Sequence, residues 1–170
     1  MGLAEHREAA PKRLHAAVLT ISDTRTLVDD SGGAYLVSAF EAAGHEVAWR
    51  RICRDDADEI AHAVRDAVDA QAVDLIVTTG GTGIAPRDVT APTLEALFDS
   101  TIPGFGELFR WLSYAEIGSA AILSRATAGL LAGKIVIALP GSPRALQLAM
   151  EKIVLPEAAH LVAQAARRRA

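Results

Sequence analysis

The chain has 170 residues and a formal net charge of −4, with 51% apolar residues, 5% aromatic residues and one cysteine. That length suits one domain whose core is built from many small aliphatic contacts. The acidic balance argues against a general nucleic-acid binder, which presents a concentrated basic surface, and a lone Cys53 leaves no internal disulfide and no multi-cysteine metal site.

The opening "MGLAEHREAAPKRLH" lacks the apolar run of a signal peptide, and His6 stands where myristoylation requires Ser or Thr. No later stretch approaches the roughly 20 apolar residues that cross a bilayer. The expectation is a cytoplasmic protein with no membrane partner. Residues 1–13 read as a loose tail, 14–166 as one domain and 167–170 as a basic end, where "ARRRA" suits a solvated helix terminus.

"LHAAVLTIS" (Leu14 to Ser22) is the first predicted strand. A helix follows over Ser31 to Ala43, with Leu36, Val37 and Phe40 inward and Gly44 as its stop. "EVAWRRIC" (Glu46 to Cys53) is a more polar strand suited to a sheet edge, and its thiol reads as buried and inert. Ala57 to Ala70 is helical, with Ile60, Ala61, Val64, Ala67 and Val68 on one face and "RDD" supplying capping carboxylates. "VDLIVTT" (Val73 to Thr79) is a third strand, "TLEALF" a short helix and "GFGELFRWLSYAEI" a longer one. "KIVIALP" (Lys134 to Pro140) is a fourth strand. "GSPRALQLAMEKIVL" then forms a helix with Ser142 as N-cap, Pro143 at its first position and a buried stripe of Ala145, Leu148, Ala149 and Ile153. Three of the strands are nearly continuous apolar runs, as in a parallel sheet covered on both faces. Strand and helix alternate, so the class is α/β with right-handed crossovers.

In such a sheet ligands bind beyond the carboxyl ends of the strands. The four exits are "SDTRTLVDDSGG", "RDD", "GGTGIAPRDVT" and "GSP", so every glycine-rich, hydroxyl-rich or acidic loop falls on one edge. "GGTG" resembles an anion-cradling turn. It is neither a Walker motif nor the dinucleotide fingerprint. A tight strand-to-helix connection would use the same residues.

Asp55 and Asp88 lie 33 positions apart, yet each follows a strand on that edge, and Asp29 and Asp30 lie in the first loop. Carboxylates beside an anion-binding turn call for a cation, and Mg²⁺ binds through one or two carboxylates plus phosphate oxygens. Each aspartate singly also fits an ordinary helix cap. Arg87 could pair with Asp88 or face a phosphate. "SRATAG" (Ser124 to Gly129) offers a hydroxyl and a cation, with no evident element of its own. In "GFGELFRWLSY", Phe105, Phe109, Trp111 and Tyr114 suit either core or a subunit contact. The histidines His6, His15, His45, His62 and His160 form no close ligand pair.

Taken in order, "TISD", "DDSGG", "TTGGTGIAPRDVT", "IPGFGELFRWLS", "IGSAAILSRATAG" and "LPGSP" resemble the molybdopterin adenylyltransferase family of molybdenum cofactor biosynthesis, nearer its MoaB type than its MogA type. The resemblance runs from about Leu14 to His160. It implies Mg²⁺-dependent transfer of AMP from ATP to the terminal phosphate of molybdopterin, with release of pyrophosphate. It further implies a three-layer α/β/α sandwich around a mostly parallel sheet, a homotrimer or homohexamer, and handover to a molybdate-inserting enzyme. The essential acids of the family match Asp55 and Asp88, which would also serve the metal. Further ligand positions match Ser22, Asp29, Ser113 and Ser124. The phosphate-binding loop matches Thr79, Gly80, Gly81, Thr82 and Gly83, and substrate contacts extend to Arg125, Pro140, Gly141 and Ser142. The alternative is a non-catalytic molybdopterin-binding protein of the same pathway, which would bind the pterin without releasing pyrophosphate. Recruitment to other nucleotide or pterin chemistry and a scaffold role are further readings.

Overall fold

Apolar runs without polar alternation become strands covered on both faces. In the computed structural model, which describes residues 10–166, six strands form one sheet in the order β2-β1-β3-β6-β5-β4. The strands are β1 (His15–Ile21), β2 (Glu46–Cys53), β3 (Leu75–Thr79), β4 (Ser100–Thr101), β5 (Thr127–Leu131) and β6 (Lys134–Leu139). Strands β2, β1, β3 and β6 run parallel, and β5 pairs antiparallel with both β6 and β4. The more polar β2 is an edge strand, as its composition suggests.

Period-two alternation splits the sheet's side chains between two cores. Ala16, Val18, Leu75, Val77, Ile135 and Ile137 face one layer, and Ala17, Leu19, Ile76, Val136 and Ala138 face the other. The first layer holds helices α1 (Ser31–Ala42), α4 (Pro103–Ile117), α5 (Pro143–Ala149) and α6 (Leu155–Ala165). The second holds α2 (Ala57–Asp69) and α3 (Thr90–Leu97). The fold is the expected α/β/α sandwich. The chain passes from β1 to β2 on one side and returns to β3 on the other, which places a switch point between β1 and β3.

Several local expectations are met. Gly44 follows the end of α1, where His45 N–H closes on the Phe40 carbonyl at 3.0 Å. Ser142 caps α5 by accepting from Ala145 N–H at 3.2 Å, with Pro143 in the first turn. Phe105 and Phe109 are core residues, whereas Trp111 and Tyr114 are exposed.

Others need correction. "SRATAG" leads into β5, which folds back onto β6 through a tight turn at Ala132 and Gly133, both at positive φ. Its small residues gave no alternating pattern to read. The buried stripe after Ser142 is Leu146, Ala149, Met150, Ile153 and Val154, while Ala145 and Leu148 are half-buried. A π-helical turn over Met150–Val154 follows. There Leu155 N–H donates to the carbonyl of Met150, five residues back. Pro156 follows at once, and a wider turn relieves the clash of its ring with the preceding turn. In α2 Ala63 is buried and Ala61 only half-buried. The basic end and residues 1–9 lie outside the described residues, so those assignments, with His6, go untested. No helix among the described residues is long and apolar enough to cross a membrane.

Candidate active site

Four parallel strands end at the same edge of the sheet, and the segments that leave them meet there. The turn after β3 is held from both sides. Gly80 N–H donates to Leu139 O at the end of β6, 3.0 Å away. Gly80 also sits at φ +105°, so close to the Ile21 carbonyl at the end of β1 that any Cβ would collide with it. Glycine is needed there for both reasons.

The carbonyls of this turn are taken up inside the protein. Gly81 O accepts from Thr90 N–H at 3.1 Å, and Thr82 O accepts from Arg125 N–H at 2.8 Å. The Arg125 guanidinium donates through Nε to Gly83 O at 2.7 Å and through a terminal nitrogen to Asp88 O. The N–H groups of Gly81, Thr82 and Gly83, by contrast, donate to no acceptor among the described residues. Three successive unspent donors, with their carbonyls neutralised behind them, make a concavity for an anion. Gly80 is not one of these donors, because its N–H is committed to β6.

Two aspartates stand against this turn. Asp55 Oδ1 lies 3.0 Å from where a Cβ on Gly81 would sit, and Asp88 Oδ2 lies 2.6 Å from the same point at Gly83. Neither is a helix cap. Asp56 caps α2, accepting from Asp58 and Glu59 N–H, and the first turn of α3 has no side-chain cap. Asp88 instead accepts from Ala85 N–H at 2.8 Å, which fixes its carboxylate beneath the loop 84–88. Burial, then the charges of Asp23 and Asp88, hold the Asp55 carboxyl above the ordinary carboxylate value, and Arg87 works against them. Buried beside Gly81 is Thr90 Oγ1, which has no hydrogen-bond partner.

Most of the remaining predicted residues fall around two cavities, but Asp29 lines neither. One, of about 260 Å³, is lined by Thr82, Gly83, Ser113, Ser124, Pro140 and Ser142, together with the apolar Phe109, Ile117 and Leu123. Ser113 is buried and spends its proton on Phe109 O at 2.8 Å, so it offers only lone pairs to the cavity. The other, of about 150 Å³, is lined by Ser22, Thr79, Gly80 and Gly141. Asp55 and Asp88 line neither but stand against the turn itself.

Within the first loop the two adjacent acids diverge. Asp29 is exposed and accepts from Thr26 N–H at 2.6 Å, a bond that lowers its carboxyl below the ordinary value. Asp30 is buried, caps α1 through Gly33 N–H at 2.9 Å, and takes Thr20 Oγ1 and Arg50 at 2.7 and 2.8 Å. Ser22 accepts from Thr24 and Arg25 N–H, which shapes the start of the loop.

Two residues escaped the sequence reading. Asp23, one position beyond Ser22, accepts from Asp55 N–H at 3.3 Å and forms an ion pair with Arg87. The strand-exit rule that singled out Asp55 applies to it equally. Thr90 carried no such signal, since a threonine opening a helix is ordinary. Cys53 is half-buried, and burial followed by the charges of Glu59, Asp55 and Asp56 pushes its thiol up to about 12, which makes it inert. Among the described residues, no group of three or more His, Cys, Asp and Glu side chains is placed to hold a metal ion by itself.

Residues 17–160 match the family described as "Probable molybdopterin binding domain". The chain is 46% identical over 162 residues to molybdenum cofactor biosynthesis protein B of Bacillus cereus, covering 95% of this chain and 96% of that one. A crystal structure of a molybdenum cofactor biosynthesis protein B superposes with a TM-score of 0.90 at 46% identity, covering 94% and 99% of the two chains. The tungsten cofactor synthesizing protein MoaB of Pyrococcus furiosus follows with a TM-score of 0.84 at 36% identity, covering 93% and 100%.

Proposed function

The chain belongs to the molybdopterin-binding domain family of molybdenum cofactor biosynthesis, and we propose that it is the enzyme that adenylylates molybdopterin at the expense of ATP. The observation that carries this reading is the run of three unspent N–H donors flanked by Asp55 and Asp88. A phosphate oxygen of molybdopterin attacks the α-phosphorus of ATP, the bond to the β-phosphate oxygen breaks, and pyrophosphate leaves. The attacking oxygen is already ionised at neutral pH, so the chain needs to supply position and charge balance more than a base.

Gly81, Thr82 and Gly83 bind the terminal phosphate of the pterin through their N–H groups. The 260 Å³ cavity takes the ring system, with apolar walls for its faces and the lone pairs of Ser113 for ring N–H donors. Arg125 holds the turn from behind.

The donor set suits Mg²⁺. Burial and then like charges raise the cost of ionising Asp55, an unpartnered hydroxyl stands against the same Gly81, and every available ligand is a hard oxygen. Asp55 and Asp88 would hold the ion, which supplies neutralisation of phosphate charge when bound. Two carboxylates rather than a full cage among the described residues fit an ion shared with substrate phosphates.

Replacing Asp88 or Asp55 with Asn tests the assignment. Turnover should fall on the order of 10²–10³, the cost of losing one electrostatic stabiliser, while molybdopterin still binds. Full turnover in either variant contradicts it. A wild type that binds the pterin and never releases pyrophosphate would be the non-catalytic carrier.

Self-association is part of the same reading. Leu108, Trp111, Tyr114 and Ile117 on α4, with Ile122 and Leu123 beyond it, are all exposed. An apolar face of that extent suits an interface between copies, in a homotrimer or homohexamer that hands its product to a molybdate-inserting enzyme. Trp111→Glu should lower the mass seen in sedimentation; an unchanged mass removes this face from the interface.

A further inference from the structure

Arg87 does not pair with its neighbour Asp88. Its guanidinium reaches across to Asp23, 64 positions earlier in the chain, through one terminal nitrogen. Asp23 in turn is pinned by the main chain, since its other carboxylate oxygen accepts from Asp55 N–H at 3.3 Å. The ion pair therefore joins the exits of β1, β2 and β3, and it is anchored at one end rather than free to swing.

Three other arginines near these loops have contacts of their own. Arg125 spends its guanidinium on the carbonyls of Gly83 and Asp88. Arg54 grips Glu59 through two nitrogens, and Arg25 closes its own loop on Asp29 O at 2.9 Å. Arg87 keeps its Nε and its second terminal nitrogen without partners among the described residues, and its side chain is 76% exposed. Arg25 and Arg144 also keep unspent donors, but among the three only Arg87 lies in the chain between the anion-binding turn and Asp88.

Its place in the chain says what it could take. Arg87 directly precedes Asp88 and stands four residues after the anion-binding turn. A guanidinium with two nitrogens unspent can donate to a second oxyanion without giving up the first, while its charge stays fixed by the first. We propose that Arg87 is the specificity-determining residue that binds the β- and γ-phosphates of ATP, and thus the departing pyrophosphate, and that Asp23 is the positioning residue that aims it. This rests on the adenylyl-transfer reading above. An exposed ion pair adds little to folding, so Asp23 and Arg87 should matter to ligands far more than to stability.

The test compares equilibrium binding of Mg-ATP, Mg-pyrophosphate and AMP to wild type, Arg87→Ala, Arg87→Lys and Asp23→Asn, with pyrophosphate release and melting temperature measured on the same samples. Arg87→Ala should bind Mg-ATP and Mg-pyrophosphate roughly tenfold to a hundredfold more weakly, the range for losing a hydrogen bond to a charged group, and AMP as wild type does. Arg87→Lys should recover part of the loss. Asp23→Asn should weaken the same two ligands, and adding it to Arg87→Ala should cost nothing more, because the two act as one unit. Unaltered pyrophosphate affinity in Arg87→Ala overturns the proposal, as does a wild type that binds AMP as tightly as ATP. A wild type that binds pyrophosphate through Arg87 yet transfers no adenylyl group upholds the assignment and defeats the catalytic reading instead.

Discussion

Arg125 donates a hydrogen bond to the main-chain carbonyl of Asp88 and leaves its carboxylate alone. With its Nε on Gly83 O and its own N–H on Thr82 O, Arg125 ties the turn after β3 and the acidic loop to the lead-in of β5. The sequence-based expectation gave it a place among the substrate contacts. Its geometry in the fold is that of a clamp behind the site.

Removing that clamp should loosen the turn. Arg125→Ala leaves two half-buried carbonyls without a charged donor, at about 1–3 kcal/mol of stability. Hydrogen exchange should quicken at the amides of residues 80–89, and turnover should fall more than affinity for AMP. Exchange rates equal to wild type would show that the loop holds itself.

Asp55 should be a carboxylate that function keeps against stability. Its carboxyl is raised in the fold by burial and by the charges of Asp23 and Asp88. A group with a raised folded-state pKa favours the fold fully below its unfolded value, and that contribution is lost as pH rises through the folded value. Ionised Asp55 therefore destabilises the metal-free protein at neutral pH. Asp55→Asn in EDTA should melt higher than wild type at pH 7, with the gap closing as pH falls through the carboxylate range. A variant that melts lower at pH 7 reverses the assignment.

Asp30 behaves in the opposite sense. Burial alone would raise its carboxyl, but bonds from Gly33 N–H, Arg50 and Thr20 and the charge of Arg50 outweigh it and hold it low. Its stabilisation is present above the ordinary carboxylate value and is lost as pH falls through the depressed one. Asp30→Ala strands a half-buried guanidinium and uncaps α1, at about 3–5 kcal/mol, read by urea denaturation. A cost near zero would mean that Arg50 finds another partner.

Gly80→Ala should cost stability, not merely activity. The residue sits at φ +105° against the Ile21 carbonyl, where neither the backbone conformation nor the space admits a methyl group. The loss should exceed about 1 kcal/mol, visible as a lower denaturation midpoint. Wild-type stability in this variant would mean that the turn can move away from β1.

Much of this architecture was legible because the chain writes it in hydrophobic runs. His15–Ile21, Leu75–Thr79 and Lys134–Leu139 read as buried strands, and their parallel order sends every polar exit to one edge. What stayed hidden has physical reasons. Strand β5 is made of small residues, and its burial comes from strand pairing rather than from its own pattern. The π turn at Met150–Val154 is a tertiary and proline effect. Of the adjacent acids Asp29 and Asp30, only the backbone decides which turns inward, and it turns Asp30. Asp23 was in plain view and lacked only a partner, which the fold supplies in Arg87.

The most direct measurement is a single-turnover reaction of wild-type protein with molybdopterin, Mg²⁺ and ATP, counting pyrophosphate and adenylylated pterin in the same sample. Adenylyl transfer at this site yields the two products in equal amounts, in a Mg²⁺-dependent reaction that Asp88→Asn nearly abolishes. Bound molybdopterin with neither product would contradict it, and would leave the turn after β3 a cradle for the pterin phosphate and nothing more.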